Sequence, residues 1–407
     1  MCAYANEASM EPLLPASGRA TLAKLTCEIL AASGHLTGQV HAPEVLRRVA
    51  GLVRQMNCYY SNLIEGHKTT PRDIERALNQ DFSADETQRC HQQLGLVHIE
   101  VENLMMARLA RETVEVCGSE FICWLHREFY QRLPEPLHWS MTLSGQVYRI
   151  EPGRLREFMV DVGGHTPPQF QALPRFLARF NEFYGSKEIM ETDRLTAIAA
   201  AHHRLAWIHP FGDGNGRVIR LHSQALMSQH GLGGGGLWCL SRGLARQRQR
   251  YYGFLQAADQ GRRNDLDGRG NLSDSALADF CQFFLETTLD QIQFMSGLLG
   301  LPALRTRVER YFQFETVHLT RYREELMRVV RTLIDEGEIP RTRVQEITGK
   351  GATVSAEIIK LGLQEGLVDS PSPKGPLQPG FPPKILEFYF PQLFVDLPAD
   401  ESAQGPP

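Results

Sequence analysis

Nowhere in its 407 residues does the chain string together the roughly 18 apolar residues that a spanning helix needs, which excludes a membrane-spanning reading. Residues 1–17 lack a basic stretch followed by an apolar one, so no secretory signal is read there. The eight cysteines include no CxxC pair, and reduced thiols in a cytoplasmic protein are expected. Positive charge is not in surplus either. Lys+Arg 43 against Asp+Glu 47 leaves a net charge of -4, which argues against a protein built as a whole to coat nucleic acid or an anionic membrane. What is present is ordinary: 42% hydrophobic, 22% charged and 9% aromatic residues exclude fibrous and mostly unfolded chains. This length suggests two to three domains.

Apolar residues recur at three- and four-residue steps over long windows, which predicts a mainly helical protein. Val45, Val49, Leu52, Val53, Met56, Tyr60 and Leu63 form one such stripe, closing at Gly66. Others run over residues 87–111, 119–133, 173–184, 193–208, 217–230, 242–258 and 275–298. One interruption, residues 145–168, alternates like short strands at 146–149 and 158–162 before Gly163-Gly164, and predicts a small β-hairpin lying on the helices. Residues 261–274 predict an exposed loop. Beyond residues 301–320 the pattern changes to helices at 324–336, 341–347 and 353–365, then strands at 367–369 and 384–390 around a Pro-rich loop. Three helices and a two-stranded wing resemble a winged helix-turn-helix domain.

Chemistry concentrates in His209-Pro210-Phe211-Gly212-Asp213-Gly214-Asn215-Gly216-Arg217-Val218-Ile219-Arg220. Gly212, Gly214 and Gly216 let the backbone approach a ligand closely, and the turn opens into a helix N-terminus, whose free N–H groups favour an anion. Arg217 and Arg220, three residues apart, share a helix face and could grip a polyphosphate; Asn215 adds a neutral donor. Asp213 offers hard oxygen for Mg²⁺, and His209 is a base that titrates near neutrality. Taken singly, each residue suits a packed helix-helix connection better. Together they do not, and the Walker pattern GxxxxGK[ST] is absent.

This segment resembles the HxFx[DE][GA]N[GK]RxxR signature of Fic domains at every specified position, with the likeness extending over roughly residues 84–298. The resemblance implies a Fic-type helical bundle with a hairpin flap, and transfer of AMP from ATP onto a Ser, Thr or Tyr hydroxyl of a target protein or of the enzyme itself. His209 would deprotonate that hydroxyl. Asp213 would hold Mg²⁺ (or Mn²⁺) at the α- and β-phosphates; Asn215 and the amides around Gly212, Gly214 and Gly216 would stabilise the transferred phosphoryl. Arg217 and Arg220 would bind the β/γ region. The hairpin at 157–165 would pair with the target backbone.

Upstream, Ser61-Asn62-Leu63-Ile64-Glu65-Gly66 fits [ST]xxxE[GN], similar to the inhibitory helix of one Fic class. By itself it is an ordinary helix end with Gly66 as cap. Beside a Fic core it implies that Glu65 pairs with Arg220 and misplaces ATP. Tyr251 and Tyr252 fall where relatives line the base pocket.

Other features are set aside. The glycine run 231–236 fits GxGxxG but follows a helix, not a strand. His202 and His203 are read as core or helix-surface histidines, and Arg242, Arg246, Arg248 and Arg250 as a solvated helix face. Residues 321–390 carry ten positive and ten negative charges, a poor balance for a DNA reader. The expected division is an N-terminal helical region 1–83, a catalytic core 84–300, a linker helix 301–319, a winged helix 320–397 and a disordered tail 398–407. The competing readings are a hydrolase removing AMP at the same site, a transferase using another nucleotide donor, and a DNA-binding regulator with a nucleotide-sensing core. DNA binding and a homodimer stay open.

Overall fold

The computed structural model describes residues 4–67, 69–141 and 145–395; the expected tail 398–407 lies outside them. Helices dominate: α1 (Arg19–Gln39), α2 (Pro43–Ile64), α3 (Pro71–Leu78), α4 (Glu86–Arg111) and α5 (Ser119–Tyr130) precede the hairpin β1 (Trp139–Met141) and β2 (Val147–Arg149). Then follow α6 (Leu173–Tyr184), α7 (Glu191–Ile208), α8 (Asn215–Gln229), α9 (Ser241–Arg246), α10 (Arg248–Ala258), α11 (Asp274–Leu299) and α12 (Leu301–Phe314). The last part comprises α13 (Arg323–Glu336), α14 (Arg343–Thr348), α15 (Ala352–Gln364), β3 (Val368–Asp369), β4 (Gln378–Pro379) and α16 (Pro383–Tyr389). Among the described residues no helix is long and apolar enough to cross a membrane.

Local chemistry sets the helix starts. Thr70 and Asp73 form a reciprocal capping box on α3, and the Asp85 and Ser273 side chains cap α4 and α11. Helix α2 begins with Pro43 in its first turn and buries Val45, Val49, Val53, Met56 and Tyr60; Gly66, at φ +84°, turns the chain away just after Glu65. Helix α1 lies along α11 and buries Leu22, Leu25, Ile29 and Leu36, but Thr26 and Ser33 interrupt that stripe, which is why its periodicity is faint in the sequence.

Three expectations need correction. The strand Val147–Arg149 exists, but its partner is Trp139–Met141, with Tyr148 opposite Ser140. Residues 158–162 form no ladder; a single bridge, Val162 to His165, closes the Gly163-Gly164 turn, and the Phe158 carbonyl is taken by the Arg156 side chain at 2.9 Å. The helix expected over 242–258 breaks at Gln247 into α9 and α10, because Gly243 lets α9 settle closely on Thr287 and Gln291 of α11. The second strand of the C-terminal hairpin is Gln378–Pro379, inside the expected loop, with Asp369 opposite Gln378. The residues expected as that strand are instead helix α16, whose buried Ile385, Leu386 and Tyr389 recur at a helical step.

Candidate active site: the turn between α7 and α8

Helix α7 ends at His209, which takes the left-handed conformation at φ +48°. The chain then turns through Gly214, also left-handed at φ +78°, into the first residues of α8. The turn is locked from inside. Asn215 Oδ1 accepts the Phe211 amide at 3.0 Å while Asn215 Nδ2 donates to the Phe211 carbonyl at 2.9 Å. The expected phosphate donor therefore spends its amide on the turn's own backbone. Phe211 is fully buried and stacks on His126, ring centroids 4.0 Å apart; His126 Nε2 reaches the Asp213 carbonyl at 3.2 Å and Nδ1 accepts the Gly153 amide.

Aromatic hydroxyls hold the turn's outer side. Tyr130 donates to Asp213 Oδ2 at 2.6 Å, and Tyr148 donates to the Gly212 carbonyl at 2.7 Å. A Cβ at Gly212 would meet the Tyr148 and Phe158 rings, and one at Gly214 the Tyr130 ring, so both positions require glycine. Arg156, nearly fully buried, has no carboxylate partner. Its Nε donates to the His209 carbonyl at 2.9 Å, its Nη1 to Phe158 and its Nη2 to Pro168 at 2.6 Å. One cation thus ties the base-bearing residue to the 157–165 segment.

The two arginines of α8 face α2. Arg220 Nη2 pairs with Glu65 Oε1 at 2.7 Å, Arg220 Nε donates to Ser61 Oγ at 3.0 Å, and Nη2 also donates to the Ser61 carbonyl. Arg217 Nε donates to Asn62 Oδ1 at 3.1 Å and its Nη2 to His67 Nδ1 at 3.0 Å. A Cβ at Gly216 would run into the Glu65 carboxylate. That carboxylate therefore lies over the first turn of α8, where the helix end favours negative charge.

The electrostatics follow. Burial lowers His209 to about 4, helped by the charge of Arg156, so its ring is a free base at neutral pH. Dehydration pushes Asp213 up, but the charge of Arg217 and the Tyr130 hydrogen bond outweigh it and leave the carboxyl below its ordinary value. Burial likewise pushes Glu65 up and is overcome by Arg220 and Arg217, so it is ionised. Burial and Arg217 lower His67 to about 4, consistent with its Nδ1 accepting a hydrogen bond from Arg217.

Sequence reasoning placed His209, Asp213, Arg217, Arg220, Ser61 and Glu65 in this neighbourhood. Tyr251 is buried beside Arg220, and its hydroxyl also bonds His202 Nε2 at 2.8 Å, with His202 Nδ1 on Ser223 Oγ. Tyr252 reaches the Ile64 carbonyl at 3.1 Å, beside Arg248 at 3.0 Å on the same oxygen. The arginines of 242–250 are not all solvated: Arg242 is fully buried. His202 and His203 are core residues. Tyr130, Tyr148, Arg156, Asn62 and His67 were missed. Asn62 and His67 flank the Glu65 motif and could have been suspected; the other three lie 50 or more residues from the turn and carry no local signal.

Fold and site together form a glycine-rich turn that opens into a helix N-terminus, with His209 at its start and Arg217 and Arg220 on the helix that follows. Residues 117–227 match the model of the Fic/DOC family. It is 34% identical over 137 residues to protein adenylyltransferase Fic of Drosophila mojavensis and 37% identical over 119 residues to that of Drosophila erecta. These alignments cover 34% and 29% of this chain but 26% and 23% of the relatives, so the chain spans about a quarter of the length of the curated relatives it matches. A Fic family protein from Desulfovibrio desulfuricans shares the fold at TM-score 0.50 and 16% identity, over 88% of this chain and 96% of that one. Fic-1 (residues 134–508) from C. elegans does so at TM-score 0.53 and 18% identity, over 68% and 72%.

Proposed function

We propose that the protein transfers AMP from ATP to a hydroxyl side chain of a protein target or of itself, and that Glu65 restrains this activity. The observation that carries the reading is the Glu65 carboxylate, held by Arg220 over the first turn of α8, at the place where the turn would receive a polyphosphate. The hydroxyl oxygen attacks the α-phosphorus, the bond to the bridging oxygen of pyrophosphate breaks, and the hydroxyl proton passes to His209, which is neutral at physiological pH. Loop amides and the α8 N-terminus stabilise the charge on the phosphoryl oxygens. Arg217 and Arg220 hold the β- and γ-phosphates once Glu65 leaves. The protein relatives named adenylyltransferases favour ATP as donor.

Asp213 suits a divalent cation. Its carboxyl is held below its ordinary value, Tyr130 fixes Oδ2, and among the described residues no cluster of three acidic, His or Cys side chains could hold an ion alone. Mg²⁺ commonly binds through one or two carboxylates plus the substrate's phosphates, which matches this donor set. The ion would neutralise phosphate charge; the protein's part is to aim Asp213 through Tyr130.

The test is incubation with ATP and Mg²⁺ followed by mass spectrometry. Glu65→Gly protein should gain the mass of AMP on itself or on lysate proteins, and absence of that mass on both would overturn the reading.

A further inference from the structure

Helix α2 does not meet the active turn alone. Its last residues touch α8, but its N-terminal part and the turn just before its end are held by the C-terminal part of the chain. In the N-terminal part, Arg48 pairs with Asp369 of β3 at 2.7 Å and donates to Gln378 of β4 at 2.7 Å, while Glu44 holds Arg48 from within α2. At the other end a strap, residues 392–395, crosses α2 directly before its restraining residues. The Tyr60 hydroxyl accepts the Val395 amide at 2.8 Å and donates to the Leu393 carbonyl at 3.3 Å. Tyr59 reaches the Val395 carbonyl at 3.3 Å and packs edge-on against Phe394.

The strap's other side grips α9. The Gln392 carbonyl accepts both Nε and Nη2 of Arg242, at 3.3 and 2.9 Å, with Gln392 itself left-handed at φ +62°. Arg242 is fully buried, stacked over Phe294 and bonded to Gln291 of α11. It is an anchor, and a costly one to leave unpaired. Beyond α9 the chain enters α10, whose Arg248 and Tyr252 bind the Ile64 carbonyl. The strap thus bonds α2 directly and, through α9 and α10, reaches the helix end that carries Glu65.

We infer that the strap sets the strength of the Glu65 restraint: while it is seated on Tyr59 and Tyr60, α2 is fixed in rotation and height, and Glu65 stays on Arg220. Tyr60 adjoins Ser61, both of whose oxygens accept from Arg220, and lies about 7.5 Å along the helix from Glu65 at 1.5 Å per residue. Helices shift as units against packed neighbours, so losing the strap frees the whole last turn. The C-terminal part of the chain is then a controller of the turn, acting through α2. This rests on the proposed restraint by Glu65 and names what governs it.

The test uses full-length protein with Tyr60→Phe, which removes both hydroxyl bonds, and Val395→Pro, which removes the amide donor without touching α2. Two readings are taken: label transferred from α-labelled ATP, and hydrogen exchange of the amides of residues 61–67. Both variants should raise labelling several-fold over wild type and speed exchange at 61–67. Combined with Glu65→Gly, neither should raise labelling further, because the restraint is already gone. If Glu65→Gly labels strongly while folded strap variants match wild type in both readings, the strap inference is overturned and the transferase reading stands. If Glu65→Gly does not label, the transferase reading fails, and unchanged exchange at 61–67 overturns the strap while faster exchange supports it.

Discussion

Two buried arginines flank the turn at residues 209–216, and they are satisfied in opposite ways. Arg156, on the flap side, spends its donors on three backbone carbonyls, those of His209, Phe158 and Pro168. Arg220, on the α2 side, is satisfied by Ser61 and by the Glu65 carboxylate. Backbone carbonyls leave only if the fold opens. A side-chain carboxylate on a neighbouring helix can be exchanged for another anion at little structural cost. The first arginine is architecture; the second, on the proposed function, would be a seat with a removable occupant.

The sharpest break of this contrast is at the base. His209→Ala in the Glu65→Gly background should abolish labelling from α-labelled ATP, whatever the state of Arg220. Next comes the occupant itself: Glu65→Gly should raise labelling at least tenfold, and equal labelling by wild type would remove the distinction between the two arginines. Its folded state should also lose stability, toward the lower end of the roughly 3–5 kcal/mol expected for stripping one partner from a buried ion pair, since Glu65 is one-fifth exposed. Urea midpoints measure this.

Arg156→Ala should cost about 1–3 kcal/mol in the same measurement, the range for leaving buried acceptors unpaired, without raising labelling. A rise would mean that the flap arginine is a restraint as well. Tyr148→Phe, which removes one hydroxyl bond to the Gly212 carbonyl, should cost about 1 kcal/mol.

Acidity gives a broader test. Burial lowers His126 and His222 to about 4 and His98 to about 3. The unfolded chain takes up those protons near 6.5, so this contribution is fully present above that pH and is lost as pH falls toward 4, by up to about 1.4 kcal/mol per pH unit per histidine. Denaturation midpoints at pH 7 and pH 5 should differ in that sense. The transfer rate should stay flat between pH 6 and 8, because His209 at about 4 is already a free base there.

The turn was legible because its residues are contiguous: glycines, carboxylate, amide and arginines fall in twelve positions, and helix α8 follows from its own pattern. Glu65 was legible only through the resemblance of its motif to an inhibitory helix beside a Fic core, since by itself the motif is an ordinary helix end. Asn215 was found, but its bonds to the Phe211 backbone were not foreseen, since no pattern tells which groups an amide engages. Arg242 was misread for a related reason: spacing alone cannot show a helix face whose cover, residue 392, arrives 150 residues later. The second wing strand failed because residues 384–390 are a short run rich in β-branched and aromatic residues, a composition that suits a strand, while the buried Ile385, Leu386 and Tyr389 keep a helical step. The flap failed because one side chain, Arg156, took a carbonyl that a ladder would have used.

The double bond between Asn215 and Phe211 has one more consequence. It closes residues 211–215 into a small ring, so the turn has its shape before anything binds. An arriving phosphate orders no main chain there, and the entropy of shaping that pocket is charged to folding and not to binding. On the proposed function, affinity at this turn would be governed by whether its arginines are vacant, with the Glu65 carboxylate the variable part of an otherwise preshaped site.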